Sequence, residues 1–315
     1  MNVSNNTREI ANDLERKCIT KMFKDFSLEV TPSSLSKIGS VSEFIRPSTT
    51  IYITFLPGTN YEETVETAKT IRLAGFNPAP HFAARSIASK EVLEDYVQRV
   101  TGEAGVKKIL IVAGAGKNQL GPYPDTVSLL ETGIFDKYGI TEIGVAGHPE
   151  GSPDISDMEI SKALLLKNEI ANRTNASFFI ISQFCFDSKT VLNWAKNINS
   201  EGNKLPIIIG IPGVAKLSTL LKYSIACGIG NSMHFLKKQG NKMINLIKTQ
   251  VPDRLVRELA KPNLDEIETG IEGLHIYPLG GLRQSSEWAY KTLDGHFQLT
   301  KDGFSVLEEL GKRHS

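Results

Sequence analysis

The chain has 315 residues, and 36 Lys and Arg against 35 Asp and Glu leave a net charge of +1. Hydrophobic residues make up 40% and charged residues 23%, with 26 Gly and 14 Pro. This globular balance excludes disordered, collagen-like and coiled-coil chains. So small a charge supplies no field for nucleic acid or an acidic membrane surface, and neither is an expected partner; a small-molecule substrate is.

In chain order, Met1 to Asp13 is polar with no apolar h-region, so no secretory signal is expected. Asn6–Phe23 predicts an amphipathic helix carrying Ile10, Leu14, Ile19 and Met22. Eight strands are predicted at Ser27–Val30, Ile51–Phe55, Asn77–His81, Lys108–Gly114, Glu142–Ala146, Ser177–Ser182, Pro206–Ile211 and Leu274–Pro278. Unbroken apolar runs such as Ile109 to Val112 and Phe178 to Ile181 suit parallel strands covered on both faces. Helices are predicted between them at Tyr61–Ala74, Glu91–Thr101, Asp154–Asn172, Ser218–Cys227 and Asn231–Lys238. Repeated strand–helix alternation points to one (β/α)8 TIM barrel over 24–292, with an N-terminal extra helix in 1–23 and a C-terminal extension in 293–315. A doubly wound open sheet is the competing α/β arrangement. The apolar runs are too short to span a bilayer, and the sparse cysteines Cys18, Cys185 and Cys227 fit a reducing compartment. Both observations predict a cytoplasmic protein.

Barrel chemistry sits at the C-terminal ends of the strands. Glu29, between Leu28 and Val30, is the most informative residue there. Burial among apolar neighbours is expected to raise its pKa from about 4.3 toward neutrality, which would make it a general acid. The alternative is a carboxylate paired with Arg or Lys at the rim. His81 and His148 stand at the ends of the third and fifth strands. Neither has a second His at ligand spacing, so no metal is expected, and both read as cofactor hydrogen-bonders or structural histidines. Gly114-Ala115-Gly116-Lys117 fails the phosphate-loop pattern, because Ile111 stands where its first Gly belongs and Asn118 where its Ser or Thr belongs. The sixth strand ends without the Lys of a Schiff-base aldolase. Gly210 to Gly213 and Gly280-Gly281 stand where barrels bind phosphate, so a lyase or transferase acting on a phosphorylated small molecule is an alternative.

Taken in order, Ser27-Leu28-Glu29-Val30-Thr31-Pro32, Thr54, Ala79-Pro80-His81, the Gly-rich turn, His148-Pro149-Glu150 and Gln183-Phe184-Cys185-Phe186-Asp187 resemble the methylenetetrahydrofolate reductase family. The resemblance implies a flavin-dependent barrel. It would move a hydride from NADH or NADPH through FAD to 5,10-methylenetetrahydrofolate, or in reverse from 5-methyltetrahydrofolate. It implies that Glu29 is the acid that opens the folate ring to the iminium. Gln183 would contact the folate, with Leu217 near the position of a stacking aromatic and Arg283 loosely matched to an arginine at the folate tail. Thr54, His81, Ala113, Gly114, Ala115, His148 and Ser152 would line the flavin. Its diphosphate would rely on Lys162 and Lys167, because the family's basic pair reads Asn168-Glu169 here. The family's Arg-Gly-Asp after the fourth strand reads Ala113-Gly114-Ala115. These departures mark a divergent branch, and a folate-binding protein without catalysis is a further alternative. The resemblance also carries an expectation of a homo-oligomer.

Overall fold

The computed structural model describes residues 2–37, 40–56, 58–114, 119–152, 155–227 and 248–308. Its strands in chain order are β1 (Ser27–Val30), β2 (Thr50–Ile53), β3 (Asn77–Ala83), β4 (Lys108–Val112), β5 (Glu142–Gly147), β6 (Ser177–Ser182), β7 (Ile207–Pro212), β8 (Ala215–Lys216), β9 (Thr249–Gln250), β10 (Ile271–Tyr277), β11 (Phe297–Leu299) and β12 (Phe304–Val306). Eight of them close into a barrel in the order β1-β10-β7-β6-β5-β4-β3-β2, and every pairing in it is parallel. This is a (β/α)8 TIM barrel. The open sheet is thereby excluded. β1 and β6 begin and end where the apolar runs predict, and the other barrel strands shift by a few residues.

The core has two main layers. One lies between the strands and the surrounding helices and includes Leu28, Ile51, Ile53, Ile109, Ile111, Val145 and Ile180. The second fills the barrel with Tyr52, Ala79, Leu110 and Ile181, backed by Val112, Phe179 and Ile208. A filled barrel is a packed plug rather than a pore, so polar side chains above it face the loop end.

Helix Tyr61–Leu73 buries Thr64, Val65, Ala68 and Ile71 against the strands, and helix Lys90–Ala104 buries Leu93, Tyr96, Val97 and Val100. The latter stops at Gly105, whose φ of +58° allows the left-handed cap. The helix predicted from Asp154 runs Asp157–Ala171; Ser156 caps it through Glu159 N, and Glu159 returns the bond as a capping box. The N-terminal helix runs Asn2–Met22. Glu15 holds Arg257 of helix Asp253–Leu264 through two bonds of 2.6 and 2.9 Å, a bidentate fork that fixes one helix on the other.

The region predicted as a C-terminal extension holds the antiparallel pair β11–β12. Phe297 and Phe304 are buried there, and Phe304 stacks on Trp288 of helix Leu282–Leu293 at 6.0 Å. The predicted helix Ser218–Cys227 is seen as Leu217–Ala226, while the predicted helix Asn231–Lys238 lies outside the described residues. Among the described residues no helix is long and apolar enough to cross a membrane.

Candidate active site at the barrel mouth

Glu29 sits on β1 with its side chain 14% exposed, above the apolar plug. Its Oε2 lies 3.4 Å from His81 Nε2 on β3 and 3.4 Å from His275 Nε2 on β10. Thr54, just past β2, presents its hydroxyl to the same carboxyl. Glu29 Oε2, Thr54 Oγ1, His81 Nε2 and His275 Nε2 are all buried, and none makes an aligned hydrogen bond to another described residue. These polar atoms from four strands converge at the loop end of the barrel.

This environment corrects the expected direction of the Glu29 pKa. Burial is the largest single influence and pushes it up, as expected. The His275 side chain, the electrostatic pull of the His81 and His275 imidazoles, and the Thr54 hydroxyl together hold the carboxyl below its ordinary value. The burial was legible in the sequence; the partners come from remote strands. The rim alternative with Arg or Lys is not what the structure shows, because the neighbours are histidines. Burial lowers the His81 pKa to about 4 despite the attraction of Glu29, so this ring is neutral at pH 7.

The positions expected to line a cofactor differ in character. Gly114 follows β4 with φ +94°, and a Cβ there would stand 3.4 Å from Ala83 Cβ and face a strained backbone. His148 follows β5, and burial with the charge of Lys167 lowers its pKa to about 4. Lys167 lies in helix Asp157–Ala171, only 6% exposed. Burial lowers its pKa to about 8, partly offset by Asp125, and no carboxylate lies within 4 Å of it among the described residues. Lys162, in the same helix, is exposed and does not join it. Ala113 and Ser152 are half-buried next to these groups in sequence. Ala115 and Lys117 lie outside the described residues.

Asn168 does not serve the mouth. Its Nδ2 donates to Leu164 O at 2.9 Å and Asn203 Oδ1 at 3.2 Å, and its Oδ1 accepts Lys204 N at 2.7 Å. It is a tether for the loop before β7.

The expected folate residues are also split. Gln183 follows β6, and its Oε1 accepts the Phe184 N–H at 3.0 Å, which fixes the side chain on its own loop. Leu217 is fully buried with Phe184, Phe186, Ala215 and Leu220, so it offers no stacking face here. Arg283 lies in helix Leu282–Leu293, bonds Glu43 at 2.8 Å and covers the Phe44 ring at 4.3 Å. It is a rim residue with its charge already paired.

Gly213 and Gly281, after β7 and β10, allow close packing of the two loops. A Cβ on Gly213 would come 2.9 Å from Pro278 Cα, and one on Gly281 would collide with Val214 O. Ser285 Oγ accepts the Val214 N–H at 3.0 Å across the same junction. The two loops are therefore in direct contact at this junction. Two clefts lie off the barrel axis. One of about 590 Å³ runs beside Arg16, Lys17, Thr20 and Leu293, and one of about 300 Å³ runs beside Phe186, Pro212, Leu220 and Arg254. Neither is lined by Glu29, Thr54, His81 or Gln183.

His275 is the residue of this cluster that reading strand ends missed. It stands mid-strand between Leu274 and Ile276, the same polar-in-apolar pattern that singled out Glu29.

The chain resembles known proteins across this barrel. It is 27% identical over 206 residues to methylenetetrahydrofolate reductase 1 of Schizosaccharomyces pombe, covering 61% of this chain and 32% of that one. It is 29% identical over 154 residues to methylenetetrahydrofolate reductase 2 of Saccharomyces cerevisiae, covering 46% and 24%. The matched parts thus span a third or less of these relatives. A solved structure, an uncharacterized protein from Clostridium thermocellum that binds two copies of 5-methyl-5,6,7,8-tetrahydrofolic acid, shares the fold with a TM-score of 0.53. Its identity is 14%, over 90% of this chain and 96% of that one. The family model for methylenetetrahydrofolate reductase matches residues 35–286, from just past the Glu29 strand to the helix after β10, and the chain belongs to that family.

Proposed function

We propose that this barrel interconverts 5,10-methylenetetrahydrofolate and 5-methyltetrahydrofolate, a reaction for which bound FAD would supply the hydride chemistry with NADH or NADPH as the partner. The observation that carries this reading is the buried Glu29 carboxyl at the barrel mouth, set among His81, His275 and Thr54. A binding protein has no need of a desolvated proton carrier, because a buried carboxylate costs stability. Family membership and the folate-bound structural neighbour support the substrate class.

In the reductive direction the Glu29 carboxyl gives its proton to the folate nitrogen whose bond to the methylene carbon breaks. The product is the open iminium that accepts hydride. In the oxidative direction the Glu29 carboxylate takes that proton back as the ring closes. Neighbours that hold the carboxyl below its ordinary pKa favour the ionised form at pH 7, which suits the oxidative direction.

The residues present fit a flavin. Lys167 is a buried cation with no carboxylate within ion-pair distance among the described residues, and an anionic cofactor group would neutralise it. Thr54, His81, Ala113, Gly114, His148, Ser152 and Lys167 would hold the group, whose bound form supplies two-electron hydride chemistry. Gln183 orients the pterin. The test is an assay of FAD-loaded protein in both directions with each nicotinamide. Folate-dependent turnover in either direction supports the reading. Tight folate binding with no hydride transfer from any donor refutes it.

A further inference from the structure

The reaction above uses the Glu29 carboxyl, yet the structure gives that carboxyl an elaborate support. Ser27 and His275 are register partners on the adjacent strands β1 and β10. Glu29 lies two residues beyond Ser27, so both project to the same face of the strand. Ser27 Oγ lies 2.8 Å from His275 Nδ1. A hydroxyl donating to Nδ1 leaves Nε2 as the protonated nitrogen, and Nε2 is the atom 3.4 Å from Glu29 Oε2. The imidazole is fully buried and clamped edge-on by Tyr52 at 5.0 Å and Tyr277 at 4.6 Å. Backbone pairing thus sets the line Ser27–His275–Glu29, and two aromatic rings prevent the imidazole from leaving it.

We propose that His275, oriented by Ser27, is a positioning residue that holds Glu29 and stabilises the carboxylate formed when its proton passes to the folate. This inference rests on the folate reading. The carboxyl O–H bond breaks and a nitrogen–hydrogen bond forms on the folate. The negative charge left on Glu29 then faces the Nε2–H of His275. A base whose imidazole is held by a second hydrogen bond is a recurring arrangement in proton-transfer sites.

His81 on β3 is held neutral at pH 7. Tyr52 on β2 and Tyr277 on β10 have phenols pushed well up by burial, so neither ionises in the working range. Cys227, after helix Leu217–Ala226, has its thiol pushed up by burial and by the charge of Glu29. Glu142 acts at longer range through its effect on Tyr52. Removing the support of His275 therefore falls on Glu29 itself.

The experiment compares wild type, Ser27→Ala and His275→Gln as FAD-loaded proteins, with kcat and KM for folate reduction measured against pH. Ser27→Ala leaves the imidazole in place and so guards against a folding failure in the other variant. In both variants kcat is expected to fall about 10-fold with KM within about 2-fold. The pH at which the reductive rate declines is expected to move up by about one unit, because the carboxylate has lost a stabilising partner. A decline at the wild-type pH in a folded Ser27→Ala protein overturns the inference, since a purely structural role would leave it there. A wild type with no folate turnover overturns the functional reading instead. Histidine nitrogen NMR of the ligand-free protein tests the geometry separately. Nε2–H with bare Nδ1 at His275 supports it, and the opposite tautomer overturns it.

Discussion

Replacing Lys167 with Met should make the ligand-free protein more stable while weakening its hold on an anionic cofactor. Lys167 is 6% exposed, and its pKa falls from 10.5 to about 8 on folding, chiefly through burial. A depressed lysine pKa means that the folded state binds its proton less readily than the unfolded chain does. The penalty is therefore present below pH 8 and fades as the pH rises toward 10.5. At about 1.4 kcal/mol per pH unit, the displaced lysine costs about 3 kcal/mol at pH 7. Methionine has a similar length and no charge to desolvate, so Lys167→Met should recover much of that about 3 kcal/mol. Urea unfolding of both proteins at pH 7 and pH 10 measures it. The midpoint should rise at pH 7, and the difference between the proteins should shrink at pH 10. FAD affinity should fall about 10-fold or more in the same variant. An unchanged midpoint at pH 7 would refute the claim that burying the Lys167 charge costs stability.

Three further substitutions probe the rest of the account. Glu29→Gln should keep the fold and lose about 10²-fold or more in folate turnover, read by steady-state rates with circular dichroism as the fold control. Near-wild-type turnover would remove Glu29 from the mechanism. Gly210→Ala should destabilise by about 2–4 kcal/mol in denaturant unfolding, because the added methyl would collide with Ser182 O and lie 2.7 Å from the Tyr277 ring. Asn168→Ala should cost about 1–3 kcal/mol by stranding the Lys204 N–H, yet leave FAD affinity unchanged, since its side chain is spent on Leu164, Asn203 and Lys204. A loss of FAD binding without a loss of stability would place Asn168 in the cofactor site after all.

Much of the barrel was legible because parallel strands covered on both faces need unbroken apolar runs, as in Phe178 to Ile181. The pair β8–β9 was not, since strands of two residues carry no period. The β11–β12 hairpin had a signal in Phe297-Gln298-Leu299 and Phe304-Ser305-Val306 on either side of Asp302-Gly303. Glu29 stood out because one charge interrupts an apolar strand. The direction of its pKa did not, because that depends on His81 and His275, which only barrel closure brings to it. Position in a resemblance also says nothing of local packing. Leu217 packs into the apolar cluster, and Arg283 is taken by Glu43 and Phe44.

The folate reading stands on hydride passing between a nicotinamide and a folate at the Glu29 mouth. An anaerobic absorption titration of the FAD-loaded protein tests it directly. NADH or NADPH should bleach the flavin band, and 5,10-methylenetetrahydrofolate should then restore it in wild type but far more slowly in Glu29→Gln. A band that never appears after reconstitution, or that stays bleached when the folate is added, would contradict the account.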